Sequence, residues 1–253
     1  MAAAKAGGVE PVPSLGRKVL AELIGSMLLA ATVVGSGIAA QRRSPDDAGL
    51  QLLENSLITG AVLVALILAL GPVSAAFNPV VTLAERALGA LTNGAAAALI
   101  AAQVIGCCLG VVLANLMFDL DPVVVASTER EGAGLWLGEV VATFGLLVVI
   151  FGVTRAGRGA HIAYAVGGYI TAAYWFTSST SFANPAITIG RMLSDTFAGI
   201  DPGSVPAYVL AQLVGGALGL GAVLALYPQA RQLAAELTGA PVRSTPEEES
   251  VRS

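Results

Sequence analysis

The chain has 253 residues, of which 55% are hydrophobic and 12% are charged, and its formal net charge is −4. A soluble globular domain carries about 25% charged residues, so this composition excludes an ordinary soluble protein and indicates one embedded in a lipid bilayer. Part of the negative charge comes from the tail run Glu247–Glu249, so the charge identifies no binding partner.

Six long apolar runs are the first predicted elements along the chain. A helix needs about 20 residues to cross the hydrocarbon core of a bilayer. The runs are Val19–Ala40, Leu57–Phe77, Thr92–Phe118, Leu135–Thr154, Ile162–Gly190 and Val205–Ala230. They predict an all-α membrane protein with six transmembrane helices. Two of the runs are longer than one crossing requires, which leaves room for a segment that does not simply cross.

Two Asn-Pro boxes lie within this apolar sequence, Asn78-Pro79-Val80 and Asn184-Pro185-Ala186. Proline suits the first turn of a helix, where its missing N–H costs nothing. We expect half-helices over Asn78–Leu88 and Asn184–Leu193, each spanning about half of a bilayer.

The segments before the boxes, Gly71–Phe77 and Thr177–Ala183, are expected to be irregular. Backbone of that kind is tolerated at membrane depth only where it lines a wet path. Two helix N-termini that meet at the midplane place positive partial charge there, which disfavours cations and protons. The amides of Asn78 and Asn184 are then positioned to donate hydrogen bonds to a neutral solute.

The two halves of the chain repeat these motifs in the same order. The first half contains Ala21-Glu22, Asn78-Pro79 and Ala102-Gln103, and the second contains Gly138-Glu139, Asn184-Pro185 and Ala211-Gln212. Each half holds three apolar runs, so the second copy begins on the opposite side of the membrane. The sequence therefore predicts an inverted repeat with a site near the bilayer midplane.

These paired motifs make the chain similar to the major intrinsic protein family, the aquaporins and aquaglyceroporins. The resemblance implies six spans plus two re-entrant half-helices, one pore per subunit and a homotetramer in the lipid bilayer. With one histidine and no cysteine cluster, the sequence offers little for a catalytic or metal site, and we expect no enzyme activity, no cofactor and no nucleic-acid partner. We expect a channel domain over residues 18–229, with repeats over about 18–118 and 135–229. Residues 1–17 and 230–253 are expected to be cytoplasmic tails, because nine of the 13 basic residues then face the cytoplasm of a plasma or inner membrane.

The resemblance also assigns four selectivity-filter positions, Thr59, Ala172, Ser181 and Ile187. Most relatives carry arginine where this chain has Ile187. Isoleucine lacks the positive charge of arginine and the hydrogen-bond donors of its guanidinium group. The filter is therefore expected to be wider and less polar than in a channel for water alone. We predict passive passage of small uncharged solutes such as water, polyols or neutral metalloid acids like arsenite.

Three other charged residues leave alternatives open. Arg191 lies one helical turn after Ile187, and either adds positive charge to the outer vestibule or snorkels to lipid head groups. Glu22 and Glu139 occupy equivalent places in the repeats and are predicted to brace the re-entrant loops. The competing functions are an ordinary water or glycerol channel and a proton-coupled transporter that uses Glu22 or Glu139.

Overall fold

The computed structural model describes residues 12–227 together with 229, 230, 235 and 238. The described residues form eight α-helices and no strand. The helices are α1 (Leu15–Arg43), α2 (Ala48–Leu70), α3 (Pro79–Ala87), α4 (Asn93–Met117), α5 (Ala133–Arg155), α6 (Ile162–Phe176), α7 (Pro185–Gly190) and α8 (Val205–Leu226). Short 3-10 turns precede α6 at Gly159–His161 and follow α7 at Arg191–Leu193.

Five of these helices, α1, α2, α4, α5 and α8, are long and apolar enough to cross a membrane. The sixth spanning helix, α6, has 15 residues and is lengthened by the 3-10 turn before it. The predicted run Ile162–Gly190 thus divides into α6, an irregular segment and the short helix α7. The predicted architecture of an all-α membrane protein with six spans and two half-helices is confirmed.

Helix α2 begins well before the apolar run that was expected to start at Leu57. The carboxylate of Asp47 caps it by accepting a hydrogen bond from the N–H of Leu50 at 2.8 Å. Asn55, in the added turns, is buried and donates to the Val33 carbonyl at 2.9 Å. Hydropathy starts the run too late because it cannot register that these polar groups have partners inside the protein.

The inverted repeat is visible in the packing, since α1 packs against α4 just as α5 packs against α8. Glycines make both contacts close. A Cβ on Gly106 would lie 2.5 Å from the carbonyl oxygen of Leu23, and one on Gly215 would collide with the carbonyl of Val140. Small residues at these positions let the backbones of membrane helices approach each other.

The predicted tails lie mostly outside the described residues. Helix α1 begins at Leu15, inside the predicted N-terminal tail, because Ser14 caps it through a hydrogen bond from the N–H of Arg17 at 3.4 Å. Beyond α8, the described positions of the predicted tail are 230, 235 and 238.

Candidate solute pore

Both half-helices begin at the asparagine of a box, as predicted. The side-chain oxygen of Asn78 accepts a hydrogen bond from the N–H of Val80 at 3.0 Å. The equivalent oxygen of Asn184 accepts from the N–H groups of Ala186 at 3.0 Å and Ile187 at 3.3 Å. Each side-chain amide therefore has its oxygen turned to its own helix and its NH2 group turned away.

The NH2 groups join the two half-helices at their N-termini. Asn78 Nδ2 donates to the carbonyl of Ala183 at 2.7 Å, and Asn184 Nδ2 donates to the carbonyl of Phe77 at 2.7 Å. Neither Nδ2 has a second acceptor among the described residues, so each amide keeps one N–H for a solute.

Phe77 and Ala183, which supply those carbonyls, both adopt left-handed backbone conformations, with φ of 48° and 46°. Such conformations cost energy in residues other than glycine and persist where the surroundings impose them. The N–H of Phe77 donates to Glu22 Oε2 at 2.7 Å, and the N–H of Ala183 donates to Glu139 Oε2 at 2.8 Å. Each glutamate thus holds the residue whose carbonyl receives the opposite asparagine.

Glu22 has two hydrogen bonds on each carboxylate oxygen. Oε1 accepts from Ser74 Oγ at 2.5 Å and from the N–H of Ala76 at 2.8 Å. Oε2 accepts from Phe77 and from Gln103 Nε2, the latter at 2.8 Å. A carboxylate that accepts four donors fits a brace for the loop and leaves no acceptor site for a relayed proton.

Two glutamines extend these networks in matching positions. Gln103 Nε2 also donates to Thr82 Oγ1 at 2.9 Å. In the second repeat, Gln212 Nε2 donates to Glu139 Oε2 at 2.6 Å and to Thr188 Oγ1 at 2.8 Å. The sequence showed both glutamines in the repeat but gave no sign of this role, which requires the half-helix threonines to be placed in space.

A cavity of about 420 Å³ runs through the region between the two repeats. It is lined by Lys18 at one end and by Arg191 at the other. Arg191 bonds to the backbone of Ala198, which packs against Gly37 near the far end of α1. Lys18 and Gly37 are about 28 Å apart at 1.5 Å per helical residue, close to the thickness of the hydrocarbon core. Six of the predicted site residues line the cavity: Asn78, Asn184, Thr59, Ser181, Ile187 and Arg191.

The prediction that Ala172 lines the filter is wrong. Ala172 is exposed on the outer face of α6, whereas Tyr174 is buried and lines the cavity. Two residues correspond to about 200° around a helix, so the spacing error moved the assignment to the opposite face. The Tyr174 hydroxyl lies 3.3 Å from Thr59 Oγ1 and forms a hydrogen-bonded pair with it.

The other box residues, predicted as midplane lining, are buried behind the cavity wall: Pro79, Val80, Pro185 and Ala186. The side chain of Val80 points to Gly216 on α8, where an added Cβ would collide with it. The cavity is instead lined by the residue three positions after each asparagine, Val81 and Ile187. The box prolines and their neighbours therefore shape the half-helices while the asparagines face the solute path.

Arg191 is 3% exposed, which excludes the alternative that it snorkels to lipid head groups. Its backbone N–H donates to the carbonyl of Ile187, one turn earlier. Its guanidinium donates from Nε to the Ala198 carbonyl and lies with Cζ 3.4 Å from the centre of the Phe182 ring. A charged group and an aromatic ring therefore lie together in this part of the lining.

We call this end of the cavity, lined by Phe182 and Arg191, the distal end. The Phe182 ring packs edge-on against Tyr208, with 5.2 Å between ring centres. A second guanidinium, that of Arg130 in the loop before α5, lies 5.1 Å from the centre of the same ring. Burial lowers the pKa of Arg130, but a guanidinium stays protonated at neutral pH. Two guanidinium groups thus lie against the Phe182 ring at the distal end.

Phe182 was missed in the sequence because it lies in an irregular loop, where neither helical nor strand spacing indicates which way a side chain points. Its N–H donates to Glu139 Oε1 at 2.9 Å, so the second brace fixes this ring as well. The available signal was its position two residues ahead of Asn184, with Ala183 between it and the box.

Comparisons with known proteins agree with this geometry. Residues 11–162 match the model of the family described as major intrinsic protein. The chain is 47% identical to aquaglyceroporin AqpS of Rhizobium meliloti, over 87% of this chain and 94% of that protein. It is 30% identical to aquaporin NIP2-1 of Arabidopsis thaliana, over 70% of this chain and 65% of that protein. An X-ray structure of the aquaglyceroporin from Plasmodium falciparum superposes with a TM-score of 0.69 at 19% identity, covering 87% of this chain and all of the other.

Proposed function

Because the chain belongs to the major intrinsic protein family, and is thus an integral membrane channel for small neutral solutes rather than an enzyme, we propose that it passively passes solutes larger than water. The proposed solutes are polyols such as glycerol and neutral metalloid acids such as arsenous acid. The channel domain proposed for this activity spans residues 18–229, with no cofactor.

Ile187 is the observation that carries this proposal. It lines the cavity three residues after the asparagine of the second box, with its side chain 5% exposed. Isoleucine supplies neither a charge nor a hydrogen-bond donor there. A pore selects by its radius, by its donors and acceptors and by electrostatic barriers. An apolar wall at this level therefore favours a solute that carries carbon or a bulky central atom between its hydroxyl groups.

The groups at the midplane of the pore favour the passage of neutral solutes and disfavour that of cations. Asn78 and Asn184 each offer one free amide N–H to the cavity among the described residues. The positive ends of α3 and α7 meet beside them, and positive partial charge repels cations. A neutral hydroxyl oxygen accepts such hydrogen bonds without that penalty.

The test is stopped-flow light scattering on vesicles that contain the protein, with water, glycerol and arsenous acid as probes. The proposal expects glycerol and arsenous acid to enter at least about tenfold faster than into empty vesicles, a barrier lowered by about 1.4 kcal/mol. Ile187→Arg narrows the cavity and is expected to slow both solutes more than water. Fast water flux without passage of glycerol or arsenous acid would indicate an ordinary water channel instead.

Proton-coupled transport is the competing function, and the contacts of the two glutamates argue against it. Both Glu22 oxygens already accept two hydrogen bonds each, and Glu139 accepts from two backbone N–H groups and Gln212. A proton on either carboxyl group would displace a donor that fixes the pore loops. Accumulation of glycerol above its external concentration under a pH gradient would favour the transporter.

We further propose a homotetramer in the plasma membrane with both termini in the cytoplasm. The long helices expose large apolar side chains, such as Leu137, Leu210 and Leu218, which suit contact with lipid or with neighbouring copies. The excess of basic residues on the side of the N-terminus supports the orientation. Light scattering coupled to size exclusion in detergent tests the tetramer, and protease accessibility in sealed vesicles tests the orientation.

A further inference from the structure

The carboxyl group of Glu85 is buried in the pore wall without a partner. Glu85 belongs to the last turn of α3, is 8% exposed and lines the cavity. No described residue donates a hydrogen bond to its carboxyl group or forms an ion pair with it. Burying a carboxyl group without partners is expensive, so Glu85 is suited to bind something that occupies the cavity.

The stability of α3 does not explain an acid at this position. The C-terminal end of a helix carries negative partial charge, which repels a carboxylate in the last turn and favours a basic side chain. The next residue, Arg86, follows that preference and Glu85 breaks it. A residue that breaks a local rule without a compensating contact inside the protein indicates a functional site.

The inverted repeat places Glu85 away from the midplane. Glu85 follows Asn78 by seven residues, just as Arg191 follows Asn184, and both line the cavity. Seven helical residues rise about 10 Å. Lys18 is close enough for its charge to act on the Glu85 carboxyl group. We call this end of the cavity, lined by Lys18 and Glu85, the proximal end.

Lys18 supplies hydrogen-bond donors that complement this acceptor. Its Nζ donates to the carbonyl of Thr238 at 2.6 Å. An ammonium group carries three donors, so two remain without an acceptor among the described residues. Lys18 and Glu85 line the same cavity without forming an ion pair with each other. Both groups can therefore bind a solute that lies between them.

We propose that Glu85 and Lys18 form a hydroxyl-binding site at the proximal end of the channel. Its ligand is a small neutral solute with at least two hydroxyl groups, of which one donates to Glu85 and another accepts from Lys18. A carboxyl group keeps acceptor capacity in either protonation state, so the site does not depend on the charge of Glu85. This inference rests on the proposed function, since it assigns the residues that bind a solute of that channel as it leaves water.

The apolar wall around the cavity makes such a site important for a polyol. Ile67, Ile150 and Ile162 also line the cavity and offer no hydrogen bond from their side chains. A polyol that leaves water loses hydrogen bonds, and an apolar wall does not replace them. Water molecules enter together and bond to one another, so they depend less on one acceptor in the wall. Loss of Glu85 is therefore expected to slow a polyol more than water.

The experiment measures the ratio of glycerol to water permeability in vesicles that contain the full chain or its variants. Glu85→Leu keeps a side chain of similar size but removes the acceptor. We expect the ratio to fall at least about threefold, as for one lost hydrogen bond. Glu85→Gln keeps one acceptor oxygen and is expected to lie between Glu85→Leu and the wild type. Lys18→Met keeps an unbranched stem without donors and is expected to lower the ratio in the same direction.

Glu54→Leu is the matched control. Glu54 is also a helical glutamate, on α2, and accepts from the Ser44 hydroxyl at 3.0 Å. It does not line the cavity, so its variant is expected to keep the wild-type ratio.

An unchanged ratio in a folded Glu85→Leu variant would overturn the inference, as would equal falls in glycerol and water permeability. If Glu85→Leu does not fold, Lys18→Met decides by the same criterion. Failure of the proposed function is a separate result, because glycerol would then enter vesicles with the wild-type chain no faster than empty ones.

Discussion

Asn78 and Asn184 each donate a side-chain hydrogen bond to the loop that precedes the other, at 2.7 Å in both cases. The same two side chains cap their own half-helices through their oxygens. Each asparagine therefore caps the N-terminus of one half-helix and binds the loop before the other. Its remaining N–H faces the cavity. The midplane of the pore depends on both residues at once.

Asn78→Ala removes a helix cap and also leaves the Ala183 carbonyl without its donor. We expect the free energy of unfolding to fall by about 2 to 4 kcal/mol, together with a loss of glycerol flux. Unfolding by SDS in mixed micelles measures the first effect. Thr92→Ala is the control, because Thr92 caps α4 through the N–H of Ala95 at 3.2 Å without any link between the repeats. It is expected to cost about 1 kcal/mol, and equal losses in the two variants would contradict the account.

Glu22→Gln replaces one carboxylate oxygen by an NH2 group that faces a donor. At least one backbone N–H of the re-entrant loop loses its acceptor, so we expect a loss of about 1 to 3 kcal/mol in the free energy of unfolding. Any remaining glycerol flux is expected to be as independent of pH as in the wild type. Glu54→Gln is the control, since Glu54 accepts from the Ser44 hydroxyl at 3.0 Å outside the pore. A stable Glu22→Gln variant with altered pH dependence would indicate a proton site instead of a brace.

Substitution by alanine is expected to have opposite effects at two glycines of α8. Gly215→Ala places a Cβ against the Val140 carbonyl and pushes α8 away from α5, whereas a Cβ on Gly221 meets nothing within 4 Å. We expect Gly215→Ala to lower the free energy of unfolding by about 1 to 3 kcal/mol and Gly221→Ala to leave it unchanged or slightly higher. The SDS titration again measures both, and equal stability of the two variants would argue against tight packing of these helices.

The placement of α6 predicts which position tolerates a large side chain. Ala172→Trp is expected to leave glycerol flux unchanged, because this position is exposed away from the cavity. Ile187→Trp is expected to reduce the flux at least about tenfold, because it fills the cavity near the second box. Stopped-flow traces compare the two variants at equal protein per vesicle. Blockage by Ala172→Trp alone would restore the assignment made from sequence spacing.

The half-helices show how far the sequence determines the fold. The segment expected at Asn78–Leu88 contains α3 at Pro79–Ala87, with Asn78 and Leu88 as its caps. The boundaries were predictable because an Asn-Pro pair fixes a helix start through local chemistry alone. The start of α2 was not predictable from the sequence, because its polar residues are buried against α1. Only the tertiary structure shows this burial.

The lining of the pore was less predictable than the fold. Thr59, Ser181 and Ile187 line the cavity, while their role as a selectivity filter stays a prediction. The count failed at Ala172, where a shift of two residues on a helix reverses the face. Arg191 lies at the distal end of the cavity, and its burial on Phe182 depends on the direction of a loop side chain, which no periodicity encodes.

The most direct test of a passive neutral-solute channel is glycerol entry into vesicles, followed to equilibrium with and without an imposed pH gradient. The account predicts an initial rate well above that of empty vesicles, unchanged by the pH gradient, and a final internal concentration equal to the external one. No excess over empty vesicles, or accumulation above the external concentration, would contradict it.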